Sequence, residues 1–177
     1  MPSATGADEP RRAPSAQRAD RIAVVSGGQT GVDRAALDAA QRAGVEHGGW
    51  CPRGRGAEDG VIPPRYRLRE TPDADPAQRT TWNVRDSDAT LVLSRGAPHG
   101  GTALAVSHAT ALSRPLLALD LAHHPQADAV LRWLRGVGVT TLNVAGPRES
   151  EAPGIYAEAL ALLSAVLSAF PAGRQCT

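Results

Sequence analysis

The sequence predicts an α/β protein: a mostly parallel sheet between two layers of helices, in one domain. Three observations predict it. Short apolar runs alternate with segments of helical period almost throughout the chain, the pattern of parallel strands joined by crossover helices. Three of those runs end in glycine-rich turns that lead into helices, where such sheets bind their ligands. The length of 177 residues fits a single domain with a buried core.

Taken in order, "RIAVVS" (21–26) is a β-branched apolar run bounded by glycines and reads as a buried strand. From Gly31 the period changes. Val32, Ala35, Ala36, Ala39, Ala40 and Ala43 fall on one helical face, nearly all alanine, so this helix can lie close on a sheet. Gly44 is its C-terminal stop. The segment 47–70, "HGGWCPRGRGAEDGVIPPRYRLRE", is too long for an ordinary connection. Its Trp50, Arg53, Arg55, Glu58, Asp59 and Tyr66 suit a loop that covers a ligand. Residues 75–88 form a short helix capped by Asp75 with Pro76 at its first position. "ATLVLS" (89–94) is the second strand, 95–102 a loop and 103–113 a helix. "RPLLALDL" (114–121) is the third strand, and a helix runs from Pro125 to Arg135. "GVTTLNVAG" (138–146) is the fourth strand, and the last helix spans about 153–170.

Composition excludes several classes. The formal charge is +1 with no basic run, which argues against nucleic-acid binding driven by bulk charge. No apolar stretch reaches the length of a membrane span. Residues 1–20 lack the apolar core of a secretory signal and read as a disordered lead. The domain is expected over 21–171, and 172–177 as a flexible tail. Cys51 and Cys176 are isolated, so a cytoplasmic protein with reduced thiols and no metal site is expected. His123 and His124 are adjacent and point apart, and His108 sits on an apolar helix face.

The chemistry concentrates at three strand ends: "VVSGGQTG", "LVLSRGAPHGGT" and "LNVAGPRESEAPG". Glycine permits close backbone approach, and a helix N-terminus offers unpaired N–H groups and positive potential. Phosphate or carboxylate suits such turns. The candidate ligand residues are therefore Gly27, Gly28, Gln29, Thr30 and Gly31 on the first loop, and His99, Gly100, Gly101 and Thr102 on the second. Gly146 is the candidate on the third loop, with Arg53 and Asn83 nearby. The spacing fits neither a Walker motif nor G-x-G-x-x-G, so neither a Walker NTPase nor an ordinary dinucleotide dehydrogenase is expected. Asp33 has two readings: a first-turn carboxylate favoured by the helix dipole, or a group holding a ribose hydroxyl, a base edge or a metal. Arg79 and Asn83 share a helix face.

Five blocks carry a resemblance. "SGGQTGVDRAALDAA", "GWCPRGRGAEDGVIPPRY", "RTTWNVRDSDATLVL", "HGGTALAVSHA" and "RPLLALDL" together resemble the circularly permuted YpsA-like branch of the SLOG superfamily, whose members are described as molybdenum carriers. The resemblance covers roughly residues 21–170. It implies a Rossmann-like fold, three-layered α/β/α, permuted relative to the LOG proteins. The strand–loop–helix unit that opens a LOG chain is matched here by "LNVAGPRESEAPGIYAEAL" at 142–160, and its loop should rejoin the "GGQTG" loop. The resemblance also implies homo-oligomerisation and a pocket for a nucleotide, a nucleotide derivative or molybdenum cofactor, which ends in a phosphate. LOG phosphoribohydrolases carry P-G-G-x-G-T-x-x-E. Here Gly101 and Thr102 match the G-T, but Ala105 stands in place of the glutamate. Binding without that hydrolysis is the first expectation. An N-glycosidic hydrolase using Asp33, Glu58 or Asp59 with Arg79, which matches the LOG helix arginine loosely, is an alternative, as is a nucleotide-signal sensor.

Overall fold

The computed structural model describes residues 21–171. The lead and tail expected at either end, and Cys176, lie outside them. The elements are β1 (Ala23–Val25), α1 (Val32–Ala43), β2 (Glu46–Gly48), β3 (Trp50–Cys51), β4 (Gly56–Ala57), β5 (Gly60–Val61) and β6 (Arg69–Glu70). Then follow α2 (Pro76–Arg85), β7 (Ala89–Ser94), α3 (Gly100–Ala111), β8 (Leu116–Asp120), α4 (Ala127–Val137), β9 (Thr141–Ala145) and α5 (Ile155–Leu167).

Five strands form the central sheet in the order β2-β1-β9-β7-β8, all parallel. The fold is thus the Rossmann-like α/β arrangement read from the sequence. β9, the last strand of the chain, sits in the middle, between β1 and β7. This agrees with the permutation that the resemblance implies: the unit that closes the chain fills the centre of the sheet.

Side-chain alternation sorts the two faces. Leu91, Leu93, Leu142 and Val144 point into a core shared with α1, α4 and α5. One residue on from Val144, Ala145 points the other way, into a smaller cluster with Val84 of α2 and Ala105 and Ala109 of α3. The alanine face of α1 is buried as its period demands, and it lies against α5. Fully buried Leu163 of α5 packs in that core. Burial of such a side chain contributes roughly 1.5–3 kcal/mol.

The boundaries differ from expectation where propensity was weak. β2 overlaps the start of the segment 47–70 read as a long loop. Glu46-His47-Gly48 has no apolar run, and only its pairing with β1 makes it a strand. α3 begins at Gly100, three residues earlier than expected, because its first turn is built from two glycines. α4 starts at Ala127 rather than Pro125. Asp75 caps α2 as the sequence indicated, accepting from Ala77 N at 2.9 Å, and Gly44 ends α1 in the left-handed conformation. Among the described residues, no helix is long and apolar enough to cross a membrane.

Candidate functional site

β9 and β7 are neighbours, but the chain leaves them for opposite faces: β9 for α5, β7 for α3. The two loops part at the carboxyl ends of these strands, and a cavity of about 230 Å³ opens between them. Ser94, His99, Thr102, Pro147 and Glu151 are among its walls. This is the switch-point crevice in which open α/β sheets bind ligands. Arg95 fixes the walls to each other. Its guanidinium donates to both carboxylate oxygens of Glu158, at 2.6 and 3.2 Å, and to Pro153 O at 2.8 Å.

The start of α3, like those of α1 and α4, lacks a side-chain cap, whereas the first amides of α2 and α5 meet carboxylates. Asp75 caps α2, and Glu149 accepts from Tyr156 N at 3.0 Å at the start of α5. α3 has no side-chain cap. Its Thr102 and Ala103 amides donate to His99 O, while those of Gly100 and Gly101 have no acceptor among the described residues. A Cβ on Gly101 would meet nothing within 4 Å, so the backbone there is open to approach. The His99 ring is exposed, and Thr102 is buried at the cavity wall.

The first glycine loop is filled by the protein itself. Arg79, from α2, lies flat on Gly27, where a Cβ would fall 1.9 Å from Nη1. Its Nη1 donates to Asp33 Oδ2 at 3.0 Å. Asp33 is 2% exposed and also accepts from Gln29 N at 3.4 Å. Burial pushes its carboxyl above the ordinary range, and the Arg79 charge pulls against that rise. Arg79 Nε is buried and has no hydrogen-bond partner among the described residues. Gly28 is covered by Leu68 and Ile62. Gly31, at φ 73°, lets α1 start against the third loop: a Cβ would fall 2.4 Å from Pro147 O. Gly146 admits Leu93 O and Val32 at comparable range.

The 50–70 segment is an ordered cover rather than an open loop. Arg55, itself at φ 55°, donates to the carbonyls of Ile62, Pro63, Tyr66 and Leu68 at 3.0–3.2 Å. A small core of Leu37, Cys51, Ile62, Tyr66 and Leu68 lies beneath. The β4–β5 hairpin reaches from this cover to the first and third loops. Asp59 pairs bidentately with Arg34 at 2.7 and 2.9 Å, and Gln29 Oε1 accepts from Glu58 N at 2.9 Å. The Glu58 carboxylate accepts from Thr30 Oγ1 and Ser150 Oγ in short hydrogen bonds, and from Ser150 N at 3.2 Å. The Ser150 and Thr30 hydroxyls hold its carboxyl below the usual range.

The structure therefore brings Gly27, Gly28, Gln29, Thr30, Gly31, Asp33, Glu58 and Arg79 into one cluster, and His99, Gly100, Gly101 and Thr102 into another at the crevice. The third loop, from Gly146 to Ser150, touches both, as Pro147 and Ser150 show. Arg53 stands exposed on the cover, where its N–H donates to Asp73 O at 3.0 Å. Asn83 is engaged elsewhere: its amide accepts from Trp50 N at 2.8 Å and donates to Trp50 O at 3.0 Å. Ala105 is fully buried between α3 and its neighbours. Sequence reasoning passed over Ser150, Arg34 and Arg95. "AGPRES" named the right loop, but nothing local shows that Ser150 meets a glutamate 92 residues away.

A parallel sheet with helices on both faces and a crevice at its switch point defines a Rossmann-like α/β domain. The chain matches the sequence model of the circularly permutated YpsA SLOG family over residues 24–167, and it belongs to that family. It is also similar to a solved structure at 42% identity, over 84% of this chain and 96% of that one, with a TM-score of 0.80. That structure is a "Putative molybdenum carrier protein" from Syntrophus aciditrophicus SB. No curated protein matches.

Proposed function

We propose that this protein binds a phosphorylated small molecule, a nucleotide derivative or a phosphate-bearing pterin, in the crevice between the β7–α3 and β9–α5 loops. The observation that carries the reading is the uncapped start of α3 on the wall of that cavity, with the Gly100 and Gly101 amides lacking acceptors. Two adjacent free amides at a helix N-terminus complement a phosphate group. These donors fit the phosphate end of a molybdenum-bearing pterin as well as that of a nucleotide, which agrees with the carrier description of the Syntrophus protein. In this reading molybdenum travels as cargo on its organic ligand.

Carriage without hydrolysis is the form we favour. Ala105 offers no carboxylate at the LOG glutamate position, Asp33 is paired with Arg79, and Glu58 is held by Thr30 and Ser150. A cytoplasmic homo-oligomer completes the proposal; a monomeric mass by light scattering would remove the oligomer from it.

The test is thermal shift against nucleoside monophosphates and phosphorylated pterins. At about 100 Kd a ligand stabilises the fold by roughly 2.7 kcal/mol. For a domain of this size that is about 5–10 °C in Tm. The shift should vanish in Thr102→Val. The absence of a shift with every phosphorylated ligand would reject the reading.

A further inference from the structure

The Glu58 carboxylate is received as a bound anion would be. Three donors converge on it from two loops far apart in sequence: the Thr30 hydroxyl, the Ser150 hydroxyl and the Ser150 amide, the last at 3.2 Å. The Thr30 hydroxyl is oriented for this task. Its oxygen accepts from Glu149 N at 3.1 Å, which directs its proton outward to the carboxylate. Neither donor loop belongs to the element that carries Glu58. The carboxylate arrives on the tip of the β4–β5 hairpin, two residues per strand, bracketed by Gly56 and Gly60. Neither glycine packs against anything within Cβ reach, and neighbouring Val61 is 72% exposed. A well-formed seat is thus filled from a separate arm, tied otherwise by the Arg34–Asp59 pair and the Gln29 contact.

We propose that the Thr30–Ser150 seat is a tetrahedral-oxyanion subsite, and that Glu58 is its internal occupant, displaced when a phosphate group enters. This rests on the reading above that the loops at this sheet edge take a phosphorylated ligand, and it specifies where an oxyanion of that class lands. Hydroxyl and amide donors grip a phosphate as they grip a carboxylate, and a second negative charge strengthens the grip. Because ligand and Glu58 compete for the same donors, the apparent affinity falls by the fraction of time the seat is free. A carboxylate seated about nine-tenths of the time weakens apparent binding about tenfold. Displacing it also detaches the hairpin tip, leaving the Arg34–Asp59 pair and the Gln29 contact as its remaining ties. Binding is thereby coupled to opening of the cover.

Calorimetric titration of the full chain with inorganic phosphate, and separately with AMP, tests this. Glu58→Gln keeps the shape, removes the charge, and should bind at least one of the two about tenfold more tightly than the unmodified chain. The ligand that shows the gain tells whether the seat takes the free ion or a phosphomonoester. Adding Ser150→Ala to Glu58→Gln should erase the gain. Glu58→Asp, which retracts the charge by one methylene, should give a smaller gain and serves if the first variant does not fold. Asp59→Asn loosens the hairpin from Arg34 but leaves the competing carboxylate, and should give a gain clearly smaller than that of Glu58→Gln. An unchanged or weaker affinity in Glu58→Gln overturns the proposal, and so does an equal gain in Asp59→Asn. If AMP binds in a Thr102-dependent way while Glu58→Gln changes nothing, the subsite fails and the crevice reading stands. If no variant binds either ligand, the subsite fails, and the crevice reading is decided by the phosphorylated pterins of its own test.

Discussion

Replacing Arg79 by Met tests the buried pair beneath the first glycine loop. The Asp33 side chain is 3% exposed and that of Arg79 14%, and the two meet at 3.0 Å. Met fills much of the same volume on Gly27 but leaves Asp33 in the interior without a counter-charge. Breaking a buried pair in this way costs about 3–5 kcal/mol. In a domain of this size that corresponds to a Tm lower by roughly 6–20 °C. The pH dependence has a definite sign. The folded Asp33 carboxyl lies above the ordinary aspartate value of 3.8, chiefly through burial. Its stabilising contribution is full below that unfolded value and is lost as pH rises through the folded one. Removing Arg79 takes away the strongest influence that lowers the folded value, so the loss extends to higher pH. Arg79→Met should therefore cost more at pH 7 than at pH 5. Urea denaturation of the unmodified chain, Arg79→Met, Asp33→Asn and the double variant, at both pH values, measures this. The double variant should recover most of the stability. A cost below about 1 kcal/mol for Arg79→Met, or a double variant as unstable as Arg79→Met, would refute the argument.

Other substitutions separate packing from binding. Gly146→Ala puts a Cβ 2.3 Å from Leu93 O, a backbone atom that cannot swing aside, and should cost at least about 2 kcal/mol by chemical denaturation. Gly101→Ala has open space and should leave Tm unchanged or raise it slightly, while weakening any ligand that approaches the α3 amides. Arg55→Ala removes the donor to four carbonyls, should cost roughly 3 kcal/mol, and should make residues 50–70 the first segment cut in limited proteolysis. Gly27→Ala should destabilise the unmodified chain by about 1–3 kcal/mol but do little when Arg79 is already Ala, since Arg79 is what its Cβ meets.

Four of the five sheet strands were legible because each is an apolar run with a glycine or proline near its end. β2 was not, because Glu46-His47-Gly48 owes its conformation to β1 rather than to its own side chains. The same division holds at the loops. "SGGQTG" announces a turn that needs glycine, but its partners come from elsewhere: Arg79 from α2 fits Gly27, and Pro147 from the far end of the chain fits Gly31. Periodicity put Arg79 and Asn83 on one helix face without distinguishing them. Packing sends the guanidinium to Asp33 and gives the amide to the backbone of Trp50. Arg55 stood out only as one of several polar residues of a covering loop, since a half-buried arginine that gathers carbonyls looks in sequence like any loop arginine.

The central claim is that the crevice at the start of α3 receives a phosphate group. Amide chemical-shift mapping tests it most directly, with AMP or a phosphorylated pterin titrated into the labelled chain. The account predicts saturable shifts led by the amides of Gly100, Gly101 and Thr102, and their loss in Thr102→Val. Saturable binding that leaves those three amides unmoved, or no binding by any phosphorylated ligand at millimolar concentration, would contradict it.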